Sequence, residues 1–103
     1  MWVRSWSARA TIEGAETYRR HFEHDVLPRL RAVPGHRGAL LLGNVAGPEV
    51  SLTVLTFWES MDAIRAFAGG EVATAVVAPE ARGVLEDYDR VVLIFEVLLD
   101  ART

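Results

Sequence analysis

Residues 91–99 read Val-Val-Leu-Ile-Phe-Glu-Val-Leu-Leu, apolar on both sides of any strand they form. Side chains alternate along a strand, so Val91, Leu93, Phe95, Val97 and Leu99 share one face. Val92, Ile94 and Leu98 share the other, with Glu96 among them. Residues 50–58 repeat the pattern: Leu52, Val54 and Trp58 oppose Leu55 and Phe57. A sheet with one wet side alternates apolar and polar residues, and these strands do not. Helices from a chain of 103 residues can cover one face only. The other face would be a large exposed apolar patch, and the simplest cover is a second copy related by a two-fold axis. The tail, residues 100–103, is too short to do it. A homodimer is therefore expected.

The remaining periodicities supply the other elements. Residues 2–10 alternate, with Trp2, Arg4, Trp6 and Ala8 on one face, and read as a first strand. Residues 11–14 read as a turn. Tyr18, Phe22, Val26, Leu30 and Val33 recur at helical steps, predicting a helix over 15–33. Pro28 lies inside it and should kink or divide it after residues 25–27. Residues 36–46 and 50–58 read as strands joined at Gly47-Pro48-Glu49. Ser60 is a helix cap for 61–68, which Gly69-Gly70 ends. Residues 71–85 are Ala-rich and predict two short helical pieces, the second opened by Pro79. Residues 89–99 are the last strand. Strand, helix, strand, strand, helix, short helix, strand is the ferredoxin-like split βαβ arrangement. The expected fold is α+β: a four-stranded antiparallel sheet with helices on one face, in a single domain over residues 1–103.

Composition removes several functions. There are no cysteines, so disulfides, thiolate metal sites and cysteine nucleophiles are excluded. All eleven basic residues are arginine, which excludes Schiff-base chemistry on lysine. The formal charge is −3 and the arginines are scattered, so no nucleic-acid stripe is visible. No run is long and apolar enough to span a bilayer, and residues 1–10 do not read as a signal peptide. A cytoplasmic location without membrane contact is the expectation. No glycine-rich phosphate loop and no Gly-x-Ser-x-Gly elbow occurs, which argues against nucleotide or flavin cofactors and serine hydrolysis.

Leu55-Thr56-Phe57-Trp58-Glu59-Ser60, followed by Ala63-Ile64-Arg65-Ala66-Phe67-Ala68-Gly69, resembles the signature of the antibiotic biosynthesis monooxygenase family. That family lies within the dimeric α/β barrel superfamily. Trp6, Tyr18, Pro34-Gly35, Gly38, Ala75-Val76 and Glu96-Val97 fit the same pattern, so the likeness covers nearly the whole chain. It implies two sheets packed face to face, each protomer keeping a pocket between its own sheet and helices. The superfamily includes cofactor-free oxygenases of aromatic polyketides, polyketide cyclases and haem-degrading enzymes. The haem degraders use an Asn–Trp–His set. Here the first strand has no Asn, and the helix after Trp58 ends Ala66-Phe67-Ala68 with no His. The last strand carries Phe95 where many similar members have a His.

The resemblance places Trp58 on the wall of a substrate pocket; as a residue it reads equally as a core indole. Trp6, Phe22 and Phe67 read as pocket wall or core. Tyr18 has a hydroxyl able to orient a phenol or carbonyl. His21 and His24, three apart with Asp25 following, have a spacing that could clamp a metal, but a solvated face is the better reading and no metal is expected. His21 is the candidate general base, since imidazole suits proton transfer at neutral pH. Glu96 interrupts an apolar strand; it reads either as a buried carboxylate meeting a ligand, or as an ion pair with an arginine across the dimer or with Arg4, or as a position at the sheet's rim, the last two being the better readings. Arg82 could hold an anionic or phenolic ligand. The expected function is cofactor-independent oxygenation of an aromatic or polyketide-type small molecule. Its catalytic residues would be His21, Tyr18 and Trp58, with Trp6, Phe22, Phe67, Arg82 and Glu96 binding substrate. The alternatives are a cyclase or isomerase on the same scaffold and a binding module without turnover.

Overall fold

β1 (Trp2–Thr11) runs through the middle of the sheet, in a computed structural model that describes residues 1–102. On one side it pairs antiparallel with β3 (Glu49–Trp58), from Trp2 opposite Trp58 to Thr11 opposite Glu49. β3 in turn pairs with β2 (His36–Ala46) through a tight hairpin at Gly47, whose φ of 61° suits glycine. The other side of β1 is shared by β4 (Asp87–Tyr88) and β5 (Leu93–Glu96). The strand order is thus β2-β3-β1, with β4 and β5 together on the last edge, and the helices lie on one face. The architecture is the α+β, ferredoxin-like one that the element order predicts.

The expected single last strand over 89–99 is interrupted, giving five strands. Tyr88 pairs with Ala8 and Leu93 with Ser5, so four residues on the edge face only Trp6 and Ser7. The surplus leaves the ladder as a wide bulge. Its backbone finds partners elsewhere: Ala75 N–H donates to Arg90 O at 2.8 Å, and Val92 N–H to Ala73 O at 2.7 Å. Those bonds also correct the helix expected over 71–78. Val72, Thr74, Val76 and Val77 are β-branched and poorly suited to helix, and the bulge offers an extended partner instead. Only α4 (Pro79–Arg82) is helical there, opened by its proline.

The first helix begins earlier than expected. Thr11 Oγ1 accepts from Gly14 N–H at 2.9 Å and caps α1 (Ile12–His21), so the predicted turn at 11–14 is a helix entry. Gly14 is required there, because a Cβ would lie 2.5 Å from Val84 O. Pro28 acts as predicted, through a specific device. Residues Phe22–Val26 form a π-helical turn before α2 (Leu27–Arg31), and Leu27 N–H reaches back to Phe22 O. One extra residue in that turn carries the helix past an amide-less ring. Gly35, at φ 90°, then brings the chain into β2; a Cβ there would stand 2.7 Å from Ala63 Cβ. α3 (Met61–Ala68) is capped by Ser60 Oγ and ended by Gly69, as its sequence indicates.

The core lies between the sheet and the helices. Trp58, Leu30 and Ile64 are fully enclosed there. The opposite face is bare: Leu40, Leu42, Leu93 and Phe95 are each about half exposed or more. The tail does reach this face, with the Arg102 guanidinium 5.1 Å above the Phe57 ring. It leaves those four side chains uncovered.

Candidate functional site

The pocket sits under the helices, against the β1–β3 ladder and beside the bulge. Arg4 and Trp6 rise from β1, and Val54 and Thr56 from their partner positions on β3. Tyr18 and Phe22 come down from α1 and its π turn, and Phe67 from the end of α3. Val76 closes the roof from the loop after α3. The free cavity measures about 40 Å³, enough for a water and not for an aromatic ring. Entry of a bicyclic ligand therefore needs the roof to move, and that roof is the irregular segment 69–78.

Aromatic rings make most of the wall. The Trp6 and Tyr18 rings are 6.0 Å apart and tilted, and Tyr18 lies 6.3 Å from Phe22. Trp6 Nε1 donates to Asp89 O at 2.6 Å, which ties the wall to the bulge. Trp58 stands behind the wall, completely buried. Its Nε1 donates to Thr56 Oγ1 at 2.8 Å, and its ring is sandwiched between His36 at 5.1 Å and Phe67 at 5.5 Å. It supports Phe67 rather than facing the cavity.

Arg4 is the unexpected wall residue. It is 6% exposed, yet no carboxylate approaches it among the described residues. Its Nε donates to Val72 O at 3.3 Å and its Nη2 to Thr74 O at 2.6 Å. The guanidinium carbon lies 5.6 Å from the Phe67 ring centre. Burial draws its pKa down to about 10, still fully charged near neutrality. Tyr18 is shifted the other way: burial raises its phenol well above the usual value, so the hydroxyl stays protonated and can donate. The donors of the wall are thus a guanidinium and a phenol; the Thr56 hydroxyl accepts from Trp58 Nε1 and donates to Arg4 O. No acidic side chain lines the cavity.

Four of the sequence candidates meet here: Trp6, Tyr18, Phe22 and Phe67. His21 does not line the cavity. Its ring abuts Tyr18 at 5.9 Å, Nδ1 is held by Asp25 at 3.0 Å, and Nε2 is buried without a partner. Arg82 lies on α4 beside a separate open hollow with Tyr88 and Arg90. Glu96 is exposed at the end of β5, opposite Trp2, and pairs with no arginine among the described residues. Glu96 thus sits at the rim of the sheet and not in a buried ligand-binding position: the strand ends there, and Arg4 turns to the loop carbonyls instead. Among the described residues no group of three acidic or histidine side chains could hold a metal. None of the helices described is long and apolar enough to cross a membrane. Sequence reasoning considered Arg4 only as a partner for Glu96. Its signal was a charge on the same face as Trp2, Trp6 and Ala8.

The profile of antibiotic biosynthesis monooxygenases matches residues 6–79. Among solved structures, the chain is similar to the haem-degrader MhuD from Mycobacterium tuberculosis, solved with two haems in its active site. The identity is 30% over 97% of this chain and 99% of that one, with a TM-score of 0.62. An MhuD variant solved with two manganese protoporphyrin IX molecules per active site is 27% identical over the full length of both chains, TM-score 0.71. A protein from Bacillus cereus described as a putative antibiotic biosynthesis monooxygenase shares the fold at 11% identity, over 99% of this chain and 97% of that one, with a TM-score of 0.69. No curated protein matches.

Proposed function

The chain belongs to the antibiotic biosynthesis monooxygenase family, and from that premise we propose that it oxygenates an aromatic or polyketide-type small molecule in the pocket under its helices, without a cofactor. The observation that supports this reading is the wall itself: aromatic surfaces around a guanidinium and a phenol, with no acidic side chain among them. An electron-rich anthrone or phenol, once deprotonated, passes an electron to oxygen directly. For an anthrone, the carbon gains a peroxide, and loss of water leaves a carbonyl. One oxygen atom stays on the ring and the other departs with the two hydrogens of the former methylene. The protein needs to exclude water, orient the ring and steady the anion. Trp6, Phe22 and Phe67 serve as ring surfaces, and Trp58 holds Phe67 in place. Tyr18 donates to the developing oxyanion. His21 is the base in this reading: its ring packs against Tyr18 outside the cavity, so its unpaired Nε2 takes the proton once the Tyr18 ring shifts aside.

The protomer completes itself as a homodimer in the same reading. Leu40, Leu42, Leu93 and Phe95 are large apolar side chains left exposed on one face of the sheet, which a second sheet would cover. A hollow of about 340 Å³ bounded by Leu40, Leu55, Phe57 and Val97 lies on that face, open to solvent, as an unfilled contact surface would.

Oxygen uptake with a dihydroxynaphthalene or an anthrone tests the function. Uptake matched to ring oxidation is expected, with loss in Tyr18→Phe and His21→Ala. Full turnover in His21→Ala removes the base assignment. Conversion of the ring without oxygen uptake makes the protein a cyclase or isomerase, and no conversion makes it a binding module. A porphyrin is the second reading, favoured by the full-length likeness to MhuD. The wall carries no imidazole for an iron, so haem would rest on ring contacts and the donors. An unchanged Soret band on adding micromolar haem removes that reading.

A further inference from the structure

We propose that the pocket is selective for aromatic ligands bearing an oxyanion, a carboxylate or an acidic phenolate, and that Arg4 is the residue that reads the charge. The inference rests on the reading of this pocket as the small-molecule site and adds the class of ligand. A guanidinium removed from water is costly unless its hydrogens and its charge are answered. The protein answers the hydrogens in part. Nε and Nη2 of Arg4 are spent on the carbonyls of Val72 and Thr74, and Nη1 donates to no protein acceptor among the described residues. The charge is answered only by the Phe67 face and neutral carbonyl dipoles. The nearest strand neighbours offer no help, since Arg4 lies opposite Thr56 on one side and Ile94 on the other. The bonds to the two carbonyls carry charge on the donor alone, whereas a bond to an oxyanion carries it on both partners and can be bidentate.

The same bonds couple recognition to opening. Val72 and Thr74 belong to the loop that roofs the cavity, and Arg4 is what joins that loop to β1. In the closed pocket the loop carbonyls occupy the guanidinium. An incoming oxyanion displaces them and takes the fork of donors, with the Tyr18 hydroxyl close by on the wall. With those two bonds gone the loop keeps its backbone bonds to the bulge, Ala75 N–H to Arg90 O and Val92 N–H to Ala73 O, and Val76, just beyond them, lifts to supply the volume that the resting cavity of about 40 Å³ lacks. A neutral aromatic of the same shape meets the same rings and leaves the latch fastened. Discrimination thus arises from one bidentate donor whose resting partners are replaceable.

The test is a matched pair, 1-naphthoate and 1-naphthamide, titrated into the wild-type protein with indole fluorescence and arginine Nε–H resonances as readouts. Naphthoate is expected to bind about tenfold or more tightly than the amide, and to shift the Arg4 Nε–H signal. Arg4→Met, which keeps length and apolar volume, is expected to remove that preference while retaining amide binding. The preference in the wild type needs no variant, so misfolding of Arg4→Met cannot hide the answer. Equal binding of the two probes overturns the charge reading and leaves the pocket intact. Failure of both probes to perturb Trp6 overturns the pocket and this inference together. A naphthoate preference that persists in Arg4→Met assigns the charge reading to another residue and also overturns the proposal.

Discussion

On the helix side of β1, Arg4, Trp6, Ala8 and Ala10 are buried; one residue along on the opposite side, Val3, Ser5, Ser7 and Arg9 are only partly covered. The contrast is sharper at the edges. Ile64 and Trp58 are fully enclosed on the helix side, whereas Leu93 is 62% and Phe95 51% exposed on the other. Yet polarity does not follow burial: the bare face is polar along β1, at Ser5, Ser7 and Arg9, but the buried face carries polar groups too. It holds Arg4 and Thr56, while the bare face holds Leu40, Leu55, Phe57 and Phe95. Burial and hydrophobicity have come apart, and that separation is informative. A buried polar group marks a place where chemistry outweighs desolvation, and a bare apolar one marks a contact waiting to be made.

The largest effect that would break this contrast is on the bare face. Phe95→Asp places a charge on the face that the proposed homodimer buries, and two-fold symmetry would double it. Sedimentation at micromolar concentration should show wild type near twice the 11.4 kDa chain mass. The variant should be a folded single chain, with dimer affinity weakened at least about 100-fold. Next comes a paired truncation in that monomeric background. Ile64→Ala removes a wholly enclosed side chain and should cost about 2–4 kcal/mol in urea unfolding, whereas Leu42→Ala, 45% exposed, should cost under about 1 kcal/mol. Comparable costs would mean that the bare face is already covered within one chain.

Two smaller effects sharpen the buried side. Thr56→Val strands Trp58 Nε1, whose hydroxyl acceptor at 2.8 Å is lost, and should cost about 1–3 kcal/mol. His36 gives the smallest. Burial against Trp58 lowers its pKa below the ordinary 6.5, partly offset by a hydrogen bond to the Gly38 backbone. The unfolded chain then binds the extra proton first. The contribution is therefore complete above about pH 6.5 and shrinks as pH falls below it. His36→Gln should flatten the stability profile of wild type between that point and moderately acid pH, as thermal melting across pH would show.

Strand periodicity made most of the sheet legible. Residues 36–46 form a strand with the expected bounds, though its register shifts between His36 and Gly38, and the two-faced character of 91–99 describes Leu93 and Phe95 on one side and Val92 and Ile94 on the other. What period-two reading cannot see is a bulge. Residues 89–92 carry ordinary strand side chains, and only their pairing with 73–75 shows that they leave the ladder. The same blind spot turned 71–78 into a helix, because alanine content outweighed Val72, Thr74 and Val76. The site was legible where it is aromatic, at Trp6, Tyr18, Phe22 and Phe67. Glu96 drew attention as a charge in a greasy strand, but β5 stops at it and the side chain turns outward. The buried charge was Arg4, whose partners are backbone carbonyls some seventy residues away, which no local pattern encodes.

Amide and indole N–H spectra recorded while 1-naphthoate is added test the division of labour between the two faces most directly. The account predicts perturbations at Trp6 Nε1, Tyr18, Phe67 and the 72–76 loop, with Leu40, Phe57 and Phe95 unmoved. Shifts confined to those last three would place the ligand on the bare face and contradict the assignment of the pocket.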